Sequence, residues 1–516
     1  MTLVPSVDTD GLGTLVRPVA ERPTTTVTAP ATDEPLGSVP KCAPEDVQAA
    51  VERAREAQAD WAARPLEERI EILRRVHDRV LDQQGRLTDV LQAETAKSRV
   101  DAAEEVLDIA MNARYYAERA PEYLGSARRQ GAVPLMTKTV EHRHPKGVVG
   151  LITPWNYPLT LVVSDALPAL VAGNAVVLKP AEQTPFCALA AARLLHQAGV
   201  PEDVFQVVTG DGPQLGEPLI EGVDAVGFTG STETGRTVAE IAGRTLTEAS
   251  LELGGKNPAV VLEDADVERA AAGAVHDCFA NAGQLCVSIE RIYVHEAVFD
   301  SFCDAFVSET RQLNLGVGTD WETDMGSLQS ATQLEKVEAH VEDAVERGAS
   351  VLTGGRARPD IGPFVYEPTV LTDVPEGATL TDDETFGPVV RLESVPDRET
   401  AIERANDSVY GLNATVWSGD TERGESVAAR IDCGTVTVND PFLTVWASID
   451  APMGGRGDSG IGRRHGRQGI EKYTDAQSVS TQRGPPMKPS WLPNRVWVGA
   501  MSRTLSVWNS ISRWRS

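Results

Sequence analysis

From residue 147 onward, short apolar runs alternate with helical stretches, and this alternation narrows the possible folds more than any other feature of the chain. Val148–Thr153, Ala175–Lys179, Val204–Thr209 and Ala225–Thr229 read as strands, with helical runs over 159–171, 184–198 and 213–221 between them. Alternation of this kind predicts a parallel sheet covered by helices. A second series begins at Pro258 with "PAVVL", followed by a helix over 265–282, "RIYVH", helices over 297–313 and 331–347, and strands near 350, 369, 389, 414 and 435. Two such series predict two α/β domains with a cleft between them. No internal repeat at a fixed period is present.

The rest of the chain is organised around these series. Residues 1–40, rich in Pro and Thr, read as an extended entry segment. Residues 43–123 are helical in pattern: Val47, Val51, Ala54 and Trp61 fall on one apolar face, and Ile70, Leu73, Val76 and Val80 on another. In "RRQGAVPLMTKTVEHRHP", Val140, His142 and His144 alternate with polar residues, which predicts a strand or hairpin.

Composition excludes several classes of function. The formal net charge of −27 argues against a nucleic-acid binder, which needs a basic footprint. Of the 48 basic residues only nine are lysine. Acid excess with lysine depletion fits a protein working in high salt, and a GC-rich genome also favours arginine. The apolar stretch Leu161 to Leu178 is broken by Asp165 and Pro168 and makes a poor membrane span. No signal peptide is read at the start, and six cysteines without a CxxC pair suggest a reducing, cytoplasmic setting. Gly455, Gly457 and Gly460 match G-x-G-x-x-G, but no apolar strand leads into them, so they are not read as a phosphate loop.

Three stretches carry chemistry. In Phe279-Ala-Asn281-Ala-Gly283-Gln284-Leu285-Cys286, a glycine allows close backbone approach and two amides precede the thiol. Such a loop can present a sulfur to a cleft and aim backbone N–H groups at an oxyanion. Cys42, Cys187, Cys278, Cys303 and Cys433 read instead as buried small hydrophobes. In Leu251-Glu252-Leu253-Gly254-Gly255, Glu252 is either a salt-bridged strand-end residue or a general base with a pKa raised by an apolar site. In Thr153-Pro154-Trp155-Asn156-Tyr157-Pro158, two prolines hold Asn156 just after a strand's carboxyl end, where it is either a turn former or an oxyanion donor.

Together these motifs resemble the NAD(P)-dependent aldehyde dehydrogenase superfamily. The resemblance spans about residues 22–485 and includes Lys179-Pro-Ala-Glu182, Phe228-Thr-Gly230-Ser231, Glu384-Thr-Phe386-Gly387-Pro388 and Ser459-Gly460-Ile-Gly462-Arg463. It implies a Rossmann-type cofactor domain (41–123 and 145–253), an α/β catalytic domain (254–453) and a β oligomerisation arm (124–144 and 470–486) that makes a homodimer or homotetramer. His142 and His144 then belong to an interface or surface, and no metal is expected. Cys286 becomes the nucleophile, Glu252 the base and Asn156 the oxyanion donor. Thr153, Pro154, Trp155, Lys179, Glu182, Gly210, Gly230, Ser231, Leu253, Glu384 and Phe386 become cofactor residues. The cofactor is NAD or NADP, with NAD favoured because Glu182 would repel a 2′-phosphate.

The substrate is a small aldehyde, and runs such as "NAGQLCVSIERIYV" look most like succinate-semialdehyde dehydrogenases. A substrate carboxylate wants a cation, for which Arg291, Arg456, Arg463 and Arg464 are candidates. The alternative is a broad-specificity aldehyde dehydrogenase. A CoA-acylating enzyme usually lacks the glutamate found here at 252, and a non-catalytic relative would be expected to lose Cys286 or Glu252. The family pattern stops before residues 487–516. From Gly484 on there is no acid, five cations occur, and four of the nine tryptophans lie there. From about residue 495 the spacing of Trp497, Met501, Leu505, Trp508 and Ile511 predicts a helix with one apolar face. Such a basic helix suits an anionic membrane surface, or else an acidic groove of the protein's own oligomer.

Overall fold

The computed structural model describes residues 3–130, 137–442, 447–483 and 486–512. Two compact units are present, one of Met1–Tyr123 with Pro145–Thr474, the other of Leu124–His144 with Asp475–Ser516.

In the first unit, Pro44 opens the helix Pro44–Ala63, where a missing N–H costs nothing. Val47, Val51, Ala54 and Trp61 are all buried, as are Ile70, Leu73, Val76 and Val80 on the helix Leu66–Asp82. The Trp61 indole donates to the Leu170 carbonyl at 2.9 Å, so the largest of these side chains brings its one polar atom to a partner. The helices Gln84–Thr95 and Arg99–Leu124 complete this layer.

A six-stranded sheet runs in the spatial order Gly460–Ile461, Glu248–Glu252, Ala225–Thr229, Val148–Thr153, Ala175–Pro180, Phe205–Val207. All neighbours are parallel except the Gly460–Ile461 edge, which is antiparallel. The chain enters in mid-sheet at Val148–Thr153, builds outward to Phe205–Val207, then returns to the other side at Ala225–Thr229. Strand order therefore reverses between Val148–Thr153 and Ala225–Thr229, and the crevice beyond their carboxyl ends is where open α/β sheets bind ligands. A second sheet of seven strands is centred on Asn257–Val261 and Ile289–His295. Under it Phe279, Phe302 and Phe306 stack with centroids 6.0 and 5.6 Å apart.

Several features differ from the sequence reading. Residues 1–40 are not simply extended: they hold a short helix, Thr9–Gly13, and an antiparallel hairpin, Thr24–Ala29 with Glu34–Pro40, whose Val27 and Val39 are buried. Residues 470–474 belong to the first unit rather than the arm, because Ile470 and Tyr473 are buried and the Tyr473 hydroxyl donates to Asp165 at 3.2 Å. Cys303 is half-buried, unlike the other cysteines read as core. The glycine run 455–460 serves packing: Gly460, at φ +136°, pairs with Glu252, where a side chain would strike the Leu251 carbonyl.

The second unit is built on a three-stranded sheet of Thr474–Gln482, Thr137–Pro145 and Ala127–Arg129, of which the end residues Thr474 and Pro145 belong to the first unit. His144 bonds Gln477 at 3.1 Å and His142 bonds Ser126 at 2.9 Å. Residues 131–136, the turn of the expected hairpin, lie outside the described residues. The tail forms the helix Asn494–Ser512, with Val496, Val498, Leu505, Val507 and Trp508 exposed. Among the described residues no helix is long and apolar enough to cross a membrane.

Candidate active site

Cys286 is placed by an unusual piece of backbone. The helix Val267–Phe279 ends in a 3-10 turn, Ala280–Gly283, in which Asn281, Ala282 and Gly283 all have positive φ (51°, 54° and 69°). Two non-glycine residues in this region store strain and persist only where surroundings over-determine them. Here they do. The Asn281 backbone N–H donates to Asp101 at 3.2 Å, and its side-chain amide donates to the Asn156 and Gln284 carbonyls, both at 3.2 Å. The Gln284 amide donates to Asn281 O (3.0 Å) and Ser327 O (3.2 Å), and its oxygen accepts from the Gln329 N–H at 2.9 Å. Gly283 lies against the Gly387 carbonyl, leaving no room for a side chain.

The same network holds Asn156. Its Nδ2 donates to Gln284 O at 2.9 Å, and its carbonyl accepts from buried Lys97 at 2.8 Å. Lys97 in turn pairs with Glu105 at 2.7 Å and lies over the Tyr157 ring at 3.9 Å. Glu105 also accepts from the Leu159 and Thr160 N–H groups at 2.7 and 3.0 Å. The second Nδ2 hydrogen and the Oδ1 of Asn156 make no hydrogen bond among the described residues.

Two cavities meet at these residues, and both are lined by Asn156 and Cys286. One, of about 380 Å³, is walled by residues that include Tyr157, Leu161, Leu285, Val287, Phe442 and Met453. Its ionisable lining is Glu104, Glu105, Asp108, Asp440, His276, Arg464 and His465. The other, of about 210 Å³, holds Pro154, Trp155, Gly230, Ser231, Leu253, Glu384 and Phe386, seven of the expected cofactor residues. It lies at the strand-order reversal described above. The Trp155 and Phe386 rings meet edge to face at 5.5 Å across it. Ser231 caps the helix Thr232–Thr245, so a helix N-terminus faces the cavity, a setting that suits phosphate.

The remaining expected residues are distributed differently. Glu182 and Gly210 line a separate small cleft with Thr209, and Lys179 lies 3.8 Å from Glu182. Thr153 and Glu252 line none of these cavities. Thr153 is buried at the end of its strand, and Glu252 is buried against Gly454 with Oε1 unpartnered. Gln333 and Lys336 line the second cavity and escape the sequence reading. Their i, i+3 spacing on the helix Ala331–Glu346 marks a shared face, but on a charged helix that pattern reads as solvated surface.

Carboxyl groups dominate the electrostatics of the site. Burial raises Glu252 to about 7, partly countered by Arg464 and Lys472. Burial, with Glu290 nearby, raises Glu384 to about 7 although it accepts the Gly255 N–H at 2.9 Å. Burial and these two carboxylates push the Cys286 thiol up to about 12. Burial thus disfavours the thiolate form of Cys286.

The profile of the "Aldehyde dehydrogenase family" matches residues 18–479. The chain belongs to the aldehyde dehydrogenase family. A Mycobacterium ulcerans (strain Agy99) protein provisionally named succinate-semialdehyde dehydrogenase [NADP(+)] 2 is 49% identical over 93% of both chains. A Mycolicibacterium smegmatis (strain ATCC 700084 / mc(2)155) protein provisionally named succinate-semialdehyde dehydrogenase [NADP(+)] is 50% identical over 91% of both. Among solved structures, an E. coli NADP dependent enzyme superposes with a TM-score of 0.86 at 36% identity, covering 89% of this chain and 95% of its own. A Staphylococcus aureus betaine aldehyde dehydrogenase in complex with NAD+ gives 0.86 at 32% identity, covering 92% and 98%. The protein is thus an NAD(P)-dependent aldehyde dehydrogenase, and the groups lining the cavity (a helix N-terminus, the Lys336 ammonium, the Glu384 carboxylate and two aromatic rings) fit a nicotinamide dinucleotide.

Of the four candidate arginines in this aldehyde dehydrogenase, only Arg464 lines the substrate-side cavity. Arg291 donates to the carbonyls of Lys256, Arg404, Ala405 and Asp407, so it is a structural clamp. Arg456 pairs with Asp432 at the surface, and Arg463 donates to the Gly455 and Gly462 carbonyls.

The strained turn yields a direct test. A methyl group at Gly283 collides with the Gly387 carbonyl, and φ there is +69°. Gly283→Ala is expected to lower kcat/KM by about 100-fold through displacement of Cys286, with an unchanged circular dichroism spectrum. Near-normal turnover would show that the turn does not position the thiol.

Proposed function

We propose that this aldehyde dehydrogenase oxidises succinic semialdehyde to succinate with NAD through a Cys286 thioester. The observation that carries the chemistry is the meeting of two cavities at Cys286 and Asn156. The substrate rests on relatives about half identical over nine-tenths of the chain, with Arg464 as the one candidate arginine in the cavity.

In the first step the sulfur bonds to the aldehyde carbon as its proton passes to water and the carbonyl π pair moves onto oxygen. The Asn156 amide and the Cys286 N–H hold the oxyanion, and one such donor is typically worth about 3–4 kcal/mol. A nicotinamide bound in the second cavity supplies the hydride acceptor. Loss of hydride from carbon restores the carbonyl as a thioester. Glu252 then takes a proton from water, the water oxygen bonds to carbon, and the carbon–sulfur bond breaks to release acid and free Cys286. Glu252 must swing from its position against Gly454 to serve that water.

Two finer readings accompany this one. A second substrate reading, a neutral or cationic aldehyde, is favoured by Glu104, Asp108 and Asp440 in the cavity wall. NAD is favoured over NADP because Glu182, whose carboxylate accepts the Gly212 N–H at 3.0 Å, would meet a 2′-phosphate with like charge. The names of the relatives specify NADP(+), so the two arguments oppose each other. The enzyme works in the cytoplasm, in high salt, as a homodimer or homotetramer built through the arm. For the tail helix, with cations and no acid, an acidic groove of the protein's own oligomer and an anionic membrane surface are the two candidate partners.

Three outcomes test these readings. In a kcat/KM panel run with both cofactors at low and high KCl, succinic semialdehyde should exceed alkanals and betaine aldehyde, NAD should exceed NADP, and activity should persist in salt. A preference for betaine aldehyde would establish the second substrate reading. Glu252→Gln should release a burst of about one NADH per site and then turn over slowly; absence of a burst would place Glu252 before acylation. Deleting residues 487–516 should abolish sedimentation with anionic vesicles and leave oligomer and kcat intact. Loss of the oligomer, with no sedimentation by the full chain, would assign the tail to the assembly.

A further inference from the structure

Glu290 is a buried carboxylate that the reaction above does not use. It lies on the strand Ile289–His295, just after Cys286, which is buried up to its last residue. A carboxylate in such a place is costly unless charge and hydrogen bonds satisfy it. Here they do. Lys256, itself buried, pairs with Glu290 Oε2. The Thr385 N–H donates to both carboxylate oxygens at 3.0 Å, and the Phe386 N–H donates to Oε1 at 2.9 Å. Hydrogen bonds to an ionised acceptor are the strong ones.

The segment Glu384–Gly387 is gripped from its other side as well. The Gln333 amide donates to Phe386 O at 2.7 Å and to Thr385 O at 3.2 Å, and His340 Nδ1 lies 3.2 Å from Thr385 Oγ1. Phe386 has φ +56°, a left-handed conformation that a phenylalanine keeps only where its surroundings over-determine it. Its ring is the one that meets Trp155 across the cofactor cavity. On the nucleophile's side, Asn257, next to Lys256, donates from Nδ2 to Cys286 O and Ser288 O, both at 2.8 Å. The residues of the ion pair are therefore tied to the nucleophile, and the segment they hold carries Glu384 and Phe386 of the cofactor wall.

We propose that the Glu290 carboxylate, with Lys256 as its counter-ion, clamps the segment Glu384–Gly387 through the Thr385 and Phe386 N–H groups and so fixes the cofactor wall relative to Cys286. Glu290 is a positioning residue, acting through that segment. The inference rests on the reading of this cavity as the seat of the nicotinamide. Its distinctive consequence is a split between position and affinity. Ser231 and the helix it caps belong to another element and keep their place when the segment loosens. The turn before Cys286 likewise keeps its own bonds to Asp101, Asn156 and Ser327. What is lost is the placement of the hydride acceptor against the substrate carbon, where small displacements are expensive.

The test is Glu290→Gln, which keeps the side chain's size but offers one acceptor oxygen and no charge. In hydrogen exchange of the cofactor-free protein, read by peptide mass spectrometry, the Thr385 and Phe386 amides should exchange at least about tenfold faster, with residues 279–286 unchanged. Alkylation of Cys286 by iodoacetamide should keep its native rate. The Kd of NAD or NADP, whichever the native enzyme binds more tightly, should stay near its native value in equilibrium dialysis. NAD(P)H formation in a single turnover, with the aldehyde oxidised fastest in the panel above, should fall about 100-fold. Removing one partner of a buried pair destabilises a fold, so the double variant Lys256→Met/Glu290→Gln, which removes both charges, accompanies it and should show the same pattern. Native exchange at Thr385 and Phe386, or a native single-turnover rate, in either variant overturns the proposal. So does a loss of Cys286 alkylation or of cofactor binding that matches the loss of turnover. If Phe386→Ala leaves both Kd and single-turnover rate native, the reading of this cavity as the nicotinamide's seat fails instead.

Discussion

A single carbonyl oxygen, that of Asn156, joins the parts of this active site. It accepts from Lys97, whose helical layer packs on the cofactor sheet, and from Asn281 in the turn that carries Cys286. The side-chain amide of the same asparagine donates to Gln284, two residues before the thiol. Asn156 and Cys286 are thereby spaced by direct hydrogen bonds, although 130 residues separate them in sequence. Because these bonds are buried, leaving one unmade costs the desolvation of its donor, so the spacing is held stiffly.

That stiffness explains how the turn at 281–283 tolerates three positive φ angles. The turn places the thiol at the junction of two cavities. One cavity opens at the strand-order reversal of the six-stranded sheet; the other is lined partly by the helix Arg99–Leu124, through Glu104, Glu105 and Asp108. Burial then governs the chemistry. The same burial raises the Glu252 carboxyl to about 7 and pushes the Cys286 thiol up to about 12.

Much of the fold was legible in the sequence because its signals are local. The strands Val148–Thr153 and Ala225–Thr229 and the helical faces built on Trp61 and Val76 follow from periodicity, and burial bears them out residue by residue. The entry hairpin at 24–40 was not legible, since Pro and Thr in a short segment carry no strong period, and its pairing depends on a turn rather than on composition. Residues 470–474, Tyr473 among them, were read as arm, because nothing in "GIEKYT" announces that its tyrosine reaches Asp165.

The sequence alone determined the residue types that chemistry requires and the order in which they occur: a cysteine after a glycine-containing turn, a glutamate before paired glycines, an asparagine between prolines. Those are properties of adjacent residues, and motif spacing preserves them. Only the tertiary structure decided which cavity each residue serves. It brought Gln333 and Lys336 to the cofactor wall, left Glu252 outside both cavities, and singled out Arg464 from four arginines as the one beside the site. The physical reason is that burial and counter-charge depend on elements far apart in the chain. Whether an arginine clamps carbonyls, as Arg291 does, or neutralises a buried carboxylate, as Arg464 does, follows from what packs around it and not from its neighbours in sequence.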